Sequence, residues 1–160
     1  MSYEILVDIP SQRLFLKKAN EITKVYEVST AKNGAGEEYG SEKTPRGWHI
    51  VRAKIGQGMP ANTVFVSRRP TQEMYSDDLL KKYPGRDWIL TRIFWLSGLE
   101  KGKNRLGKCD TMRRYIYIHG SPDSKPMGIP SSKGCVNMRN CDIIELFDLV
   151  PVGTKVLIRD

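Results

Sequence analysis

Residues 115–120 read Tyr115-Ile116-Tyr117-Ile118-His119-Gly120, and this strict alternation of side chains fits a β-strand rather than a helix. Successive side chains on a strand point to opposite faces, so Tyr115, Tyr117 and His119 share one face and Ile116 and Ile118 the other. The isoleucines are therefore assigned to the core, and the tyrosines and His119 to the surface opposite it. Gly120 follows at the strand end, where the missing side chain admits a substrate or another backbone. Taken alone, a histidine at a strand end is more readily structural than chemical.

Outward from this strand the pattern repeats. Residues 3–9, 14–16 and 22–29 are rich in Val, Ile, Tyr and Phe, with turn residues at Pro10-Ser11-Gln12 and Ala19-Asn20. Gly34, Gly36, Gly40 and Pro45 mark a loop, after which residues 47–51, 88–96 and 155–158 read as further strands. Residues 71–83 are expected to carry a short helix ending before Pro84-Gly85. A longer helix is expected over residues 141–150, with Asn140 as N-cap, Asp142 and Glu145 near its positive end, and an apolar stripe of Ile143, Ile144, Phe147 and Val150. Pro151 and Gly153 terminate it. The expectation is a single, mainly β domain over residues 1–160.

The chain has 160 residues, 26 Lys+Arg against 18 Asp+Glu, and is 39% hydrophobic. A chain of this length buries roughly 68–70% of its unfolded surface, enough for a core without metal or disulfide. Its composition speaks against disorder, and its most apolar stretch, residues 88–99, is interrupted by Thr91 and Arg92, short of the ~18 clean apolar residues of a membrane span. Cys109, Cys135 and Cys141 show no CxxC spacing, so neither a disulfide framework nor a zinc ribbon is indicated, and no metal or cofactor is expected. The first eight residues contain no basic segment followed by an apolar run. The expected location is the cytoplasm, or the periplasm if Met1 stands in front of a shortened chain. Residues 1–80 hold 11 basic and 10 acidic residues, and residues 81–160 hold 15 and 8. The excess, concentrated in Lys101, Lys103, Arg105, Lys108, Arg113 and Arg114, points to an anionic partner, either nucleic acid or a small acidic substrate.

Sixteen residues after His119 comes Cys135, within Ser131-Ser132-Lys133-Gly134-Cys135-Val136-Asn137-Met138-Arg139. A cysteine acting as acyl acceptor needs a partner base, exposure at a turn, and donors for the oxyanion. Gly134 permits a tight turn, the N–H groups of Gly134 and Cys135 are candidate oxyanion donors, and Lys133 and Arg139 are placed to favour the thiolate. The alternative is that Cys135 is a small buried hydrophobe. Cys141 falls in the first turn of the expected helix without a histidine beside it, Cys109 lies in a basic loop, and His49 is read as structural.

With these residues in view, His119-Gly120 and Ser132-x-Gly134-Cys135-Val136-x-Met138 resemble the signature of the L,D-transpeptidase catalytic domain, cysteine enzymes that act on peptidoglycan stem peptides. The likeness extends to Val7-Asp8-x-x-Ser11-Gln12-Arg13-Leu14, to Thr44-Pro45-x-Gly47, and to Asp110-Thr111 with Arg114-Tyr115-Ile116. The resemblance implies a β-sandwich or barrel-like fold with one clear helix near the C-terminus. It also implies Cys135 as nucleophile, His119 as proton carrier, Gly120 near the carbonyl that orients the ring, Gly134 with Cys135 as oxyanion donors, and Ser132 as support for the turn. Two positions depart from the family's common pattern, Lys133 where histidine is frequent and Asn137 where arginine is frequent. Asn137, Arg139, Tyr117 and Lys133 are the candidates for substrate contact.

The implied reaction is acyl transfer through a thioester, releasing a terminal D-alanine. With water as acceptor the enzyme is an L,D-carboxypeptidase working on muropeptides in the cytoplasm; with an amine it is an exported transpeptidase forming cross-links. Acylation by carbapenem-type inhibitors is expected from the family. A basic β-domain that binds nucleic acid through Trp95, Tyr115 and Tyr117, and an inactive scaffold that only holds stem peptides, are the readings outside this class. Oligomeric state is not read from the sequence.

Overall fold

Short apolar runs lay down the first sheet, with Leu14 and Leu16 alternating inward and three consecutive residues, Ile5 to Val7, buried in the first strand. In the computed structural model, which describes residues 2–160, β1 (Tyr3–Asp8), β2 (Arg13–Lys18) and β3 (Glu21–Ser29) form an antiparallel meander. Its first turn is held by Gln12, whose side-chain amide donates to Ile9 O (2.8 Å) and Thr30 Oγ1 (2.7 Å). β4 (Gly47–Ile55), β5 (Thr63–Val66), β6 (Arg69–Met74), α1 (Asp77–Lys82) and β7 (Ile89–Gly98) follow. The chain then runs through β8 (Tyr117–Ser121), β9 (Val136–Arg139), α2 (Asn140–Leu149) and β10 (Lys155–Arg159).

The strands pair in the order β4-β10-β1-β2-β3-β9-β8-β7, and β7 pairs back onto β4, which closes an eight-strand barrel. The β5–β6 hairpin hangs from β7 outside this ring. Two pairs are parallel, β1 with β10 and β8 with β9, and a parallel pair needs a long crossover. Residues 122–135 supply it between β8 and β9. The barrel-like, mainly β architecture with one clear C-terminal helix agrees with the sequence reading.

Packing follows the pattern. Ile5 and Val7, Leu14 and Leu16, Ile118, Val136 and Met138 all point into one core, which the buried face of α2, Ile143, Leu146 and Phe147, seals. The Phe94 and Phe147 rings lie 5.5 Å apart.

Three local expectations are corrected. Residues 71–74 belong to strand β6, and the helix covers Asp77–Lys82 only, capped by Ser76 Oγ accepting from Leu79 N at 3.1 Å. Asn140 is the first residue of α2 and not its cap, because its buried side chain is drawn inward, accepting from Thr91 Oγ1 (2.6 Å) and donating to Asn62 Oδ1 (3.0 Å) and Asp123 Oδ1 (3.1 Å). Strand β8 begins at Tyr117, since Tyr115 sits in a turn with φ +56°.

One irregularity opens the barrel wall. Thr91 has φ +76°, and the β7 register shifts between Leu90 and Ile93. On its outer edge Ile89 and Leu90 pair with β5, whereas Ile93 to Gly98 pair with β4. The strand changes neighbours at the bulge, and the hairpin leaves the barrel there.

Phe147 carries the helix–barrel contact, so Phe147→Ala is expected to lower unfolding free energy by about 3–5 kcal/mol, read from the midpoint of chemical denaturation at constant m-value; a loss below 1 kcal/mol would mean that α2 does not seal the core.

Candidate active site

The parallel pair β8–β9 sorts its side chains between two surfaces. Ile118, Val136 and Met138 enter the core, while Tyr117, His119 and Asn137 lie on the opposite face. His119 and Asn137 are register partners, and Cys135, one step before β9, receives the Tyr117 backbone N–H on its Sγ at 3.3 Å. Cys135 therefore sits one diagonal step from His119. Both line a cavity of about 380 Å³, with Ser67 and Arg68 from the β5–β6 turn, Asp87 and Ile89 at the start of β7, and Arg114, Ser132 and Lys133. That size falls in the range of small-ligand sites.

His119 is buried, and its Nδ1 lies 2.6 Å from Gly120 O. A carbonyl only accepts, so Nδ1 carries the proton and Nε2 is left as the basic nitrogen. Burial lowers the imidazole pKa against the raising influence of Asp87 and the Gly120 carbonyl. Burial also pushes the Cys135 thiol up to about 12, outweighing the Tyr117 N–H and the cations Arg114 and Lys125. The resting pair is thus a neutral thiol beside a neutral imidazole, and no hydrogen bond joins them among the described residues.

The cysteine loop is fastened from several sides. Gly134 has φ +134°, a backbone region that side chains rarely adopt, and a Cβ there would meet Ile116 Cδ1 at 3.2 Å. Ser132 Oγ donates to Cys135 O (2.6 Å) and accepts from Gly134 N (3.2 Å). Thr44 Oγ1 donates to Gly134 O and accepts from Ala31 N, both at 2.9 Å. Gly120 is packed just as closely, since a Cβ would lie 2.5 Å from Asn140 Oδ1 and 2.6 Å from Leu90 O. The approach it admits is that of backbone and not of a ligand.

Set against the sequence, Cys135, His119, Tyr117, Asn137, Ser132 and Lys133 come together in one cavity. Asn137 is buried with its Oδ1 lacking any hydrogen-bond partner among the described residues, an acceptor that the protein itself leaves unfilled. Other expectations are revised. The Gly134 N–H is turned to Ser132 Oγ, so of the two oxyanion donors only the Cys135 N–H remains free. Arg139 stands at the far end of β9 in an ion pair with Glu27 (2.8 Å) and does not line the cavity. The cations that act on the thiol are Arg114 and Lys125, not Lys133 and Arg139.

Of the basic run, Arg114 reaches the cavity, but its guanidinium is engaged with Lys43 O (2.6 Å) and Gly36 O (3.2 Å). Lys101, Lys103, Arg105 and Lys108 lie elsewhere. His49 is structural, with Nδ1 2.9 Å from Gly47 O and Nε2 3.0 Å from Thr111 Oγ1, and burial pushes its pKa down to about 4. Cys141 is exposed on the first turn of α2, and Cys109 ends a short 3₁₀ turn. Arg68, Asp87 and Lys125 were not singled out from the sequence. The turn Val66-Ser67-Arg68-Arg69 contains neither glycine nor asparagine, the usual markers of a tight hairpin.

A family model described as the L,D-transpeptidase catalytic domain matches residues 2–158. YqjB of Bacillus subtilis (strain 168), named for the same family, is 44% identical over 156 residues, covering 98% of this chain and 70% of its own length. LD transpeptidase LdtMt1, solved in complex with imipenem, superposes with a TM-score of 0.59 at 18% identity, over 99% of this chain and 59% of its own. L,D-transpeptidase 3 from Mycobacterium tuberculosis, solved with a faropenem-derived adduct, gives 0.61 at 13% identity, over 99% and 60%. The two solved structures support the fold, and the chain spans less than two thirds of their length.

A protonated resting thiol has a direct consequence. At about pH 8 iodoacetamide is expected to alkylate Cys141, whose thiol burial and Asp142 also raise but which is exposed to solvent, faster than Cys135, as read by peptide mass mapping of the free protein. Faster labelling of Cys135 would mean a resting thiolate.

Proposed function

The chain belongs to the L,D-transpeptidase catalytic-domain family, enzymes of peptidoglycan metabolism, and from that premise we propose that Cys135 is its acyl-accepting nucleophile and His119 the base and acid that serve it. The supporting observation is the meeting of a thiol and a tautomerically fixed imidazole in one cavity, on a loop braced by Ser132 and Thr44. As Sγ attacks the carbonyl carbon of the residue before a terminal D-alanine, its proton passes to His119 Nε2. The oxyanion is met by the Cys135 N–H. The C–N bond breaks, the proton moves from His119 to the departing amine, and a thioester remains.

Water is the proposed second nucleophile. It loses a proton to His119, adds to the thioester carbonyl, and releases a carboxylic acid while the thiol regains its proton. A cavity of about 380 Å³ accommodates the end of one stem peptide. The substrate on this reading is a tetrapeptide of a muropeptide, trimmed to tripeptide, and the proposed setting is the cytoplasm, since trimming does not require polymeric wall. Carbapenems, whose ring carbonyl offers the same acyl group, are the proposed inhibitors.

Incubation with disaccharide tetrapeptide tests the assignment. Tripeptide and free D-alanine are expected; cross-linked dimer, or exchange with an added D-amino acid, would instead make it a transpeptidase. Cys135→Ala should abolish turnover, and His119→Ala should lower kcat by about 10²–10⁴-fold; near-normal turnover in either variant would refute its role. The pH profile supplies an independent check. His119 must be neutral to take the thiol proton, and its folded pKa lies below the ordinary value of about 6.5. The acid limb of kcat/KM is therefore expected below pH 6.5, and a limb at or above that value would contradict the buried imidazole.

A further inference from the structure

The β5–β6 hairpin turns on Ser67 and Arg68, whose φ values are +50° and +63°. Val66 and Arg69 pair directly across them, so this is a two-residue hairpin turn of the kind that needs positive φ at both central positions. Neither residue is glycine or asparagine, and the conformation is correspondingly strained. What it achieves is the direction of Arg68. The guanidinium carbon lies 4.3 Å from the Trp95 ring centroid and 4.9 Å from that of Tyr115, and Nη1 donates to Tyr117 Oη at 2.9 Å. Two aromatic rings and one hydroxyl hold the cation at the cavity that contains Cys135 and His119.

No carboxylate forms an ion pair with Arg68 among the described residues. A guanidinium has five N–H donors in a fixed plane, and a single hydrogen bond uses one of them here. The other arginine that lines the cavity, Arg114, is occupied by backbone carbonyls. Arg68 is thus the cavity arginine with its fork free, a geometry matched to a carboxylate.

We propose that Arg68 is a specificity-determining residue that receives a substrate carboxylate one or two residues from the bond that Cys135 attacks. The distance follows from Tyr117. Its backbone N–H meets Cys135 Sγ and its hydroxyl meets Arg68, so one tyrosine side chain separates the reacting sulfur from the guanidinium. Extended peptide covers about 3.3–3.6 Å per residue, and a carboxylate so placed belongs to one of two groups. It is the α-carboxylate of the departing terminal residue, or a side-chain carboxylate on the residue whose carbonyl Cys135 attacks. The inference rests on the acyl-transfer reading given above and adds to it the group that selects the substrate.

Three tetrapeptides separate these cases: the free acid, the C-terminal amide, and a form amidated only on the side-chain carboxylate of the third residue. Each is assayed with the wild type, Arg68→Gln and Arg68→Lys. On the free acid, Arg68→Gln is expected to lower kcat/KM by about 10–100-fold, mainly through KM, and Arg68→Lys to recover part of it, since an ammonium keeps the charge but not the fork. The loss should shrink to within about twofold on the peptide that lacks the carboxylate Arg68 binds. Collapse with the C-terminal amide identifies the departing residue, and collapse with the side-chain amide the residue that donates the acyl group. An equal loss on all three peptides would overturn the inference and leave Arg68 as packing for Trp95 and Tyr115, with the cysteine chemistry untouched. A wild type inactive on all three would remove the acyl-transfer reading and this inference with it.

Discussion

The parallel register of β8 and β9 is the constraint on which the site depends. It pairs His119 with Asn137 and Ile118 with Val136, and because side chains alternate along both strands, that one choice fixes every face at once. A slip of one residue would turn the Cys135 side of the loop into the core and bring Val136 to the cavity. The register is protected from the other side by Ile118, Val136 and Met138, fully buried against α2 and the barrel. Core packing and the placement of the reactive pair are thus the same interaction seen from two faces of one sheet. A parallel pair also obliges the chain to travel back before it re-enters the sheet, and the returning crossover is what delivers Cys135 to the mouth of β9.

Burial then decides the protonation of that pair. In water the ordinary thiol value lies about 2 units above that of imidazole, so the thiolate–imidazolium pair is already the minor form. Inside the cavity, desolvation disfavours both charged forms, raising Cys135 and lowering His119. Charge separation is deferred until a substrate carbonyl is in place to take the electron pair. Asp87 and Lys125 temper this balance with opposite signs, Asp87 raising His119 and Cys135 and Lys125 lowering both.

Much of this was legible in the sequence because it depends on periodicity and on local turn chemistry. The alternation through residues 115–120 gave the two faces of β8, and Gly134 beside Cys135 announced a turn that only glycine makes without strain. Ser132 was expected to support that turn, and it bonds both Gly134 N and Cys135 O. What stayed hidden depends on contacts between segments far apart in the chain. Asn140 has the residue type of a helix cap, yet Thr91, Asn62 and Asp123 compete for its amide and win because all three converge on the first turn of the helix. Arg139 follows the cysteine closely in sequence but is carried along β9 to Glu27 on β3. Nearness in sequence had suggested Lys133 and Arg139 as the charges on the thiol, and the fold substitutes Arg114 and Lys125.

The hairpin illustrates the same limit and its physical origin. Nothing in Thr63-Val64-Phe65-Val66-Ser67-Arg68 marks a functional element, since its two turn residues are poor formers of the turn they make. The hairpin exists because β7 bulges at Thr91: beyond the bulge Ile89 and Leu90 no longer pair with β4, and that edge pairs with Val64 and Phe65 while Leu90 stays paired with Gly120 of β8. Phe65 then clusters with Ile93 and Tyr117, a group against which Cys135 also packs, anchoring the hairpin over the outer face of the catalytic strands. Strain at Ser67 and Arg68 is sustained by that anchorage and by the rings around the guanidinium. A bulge in one strand therefore opens the barrel wall, supplies a roof to the cavity, and sets an arginine from the middle of the chain beside a cysteine 67 residues away.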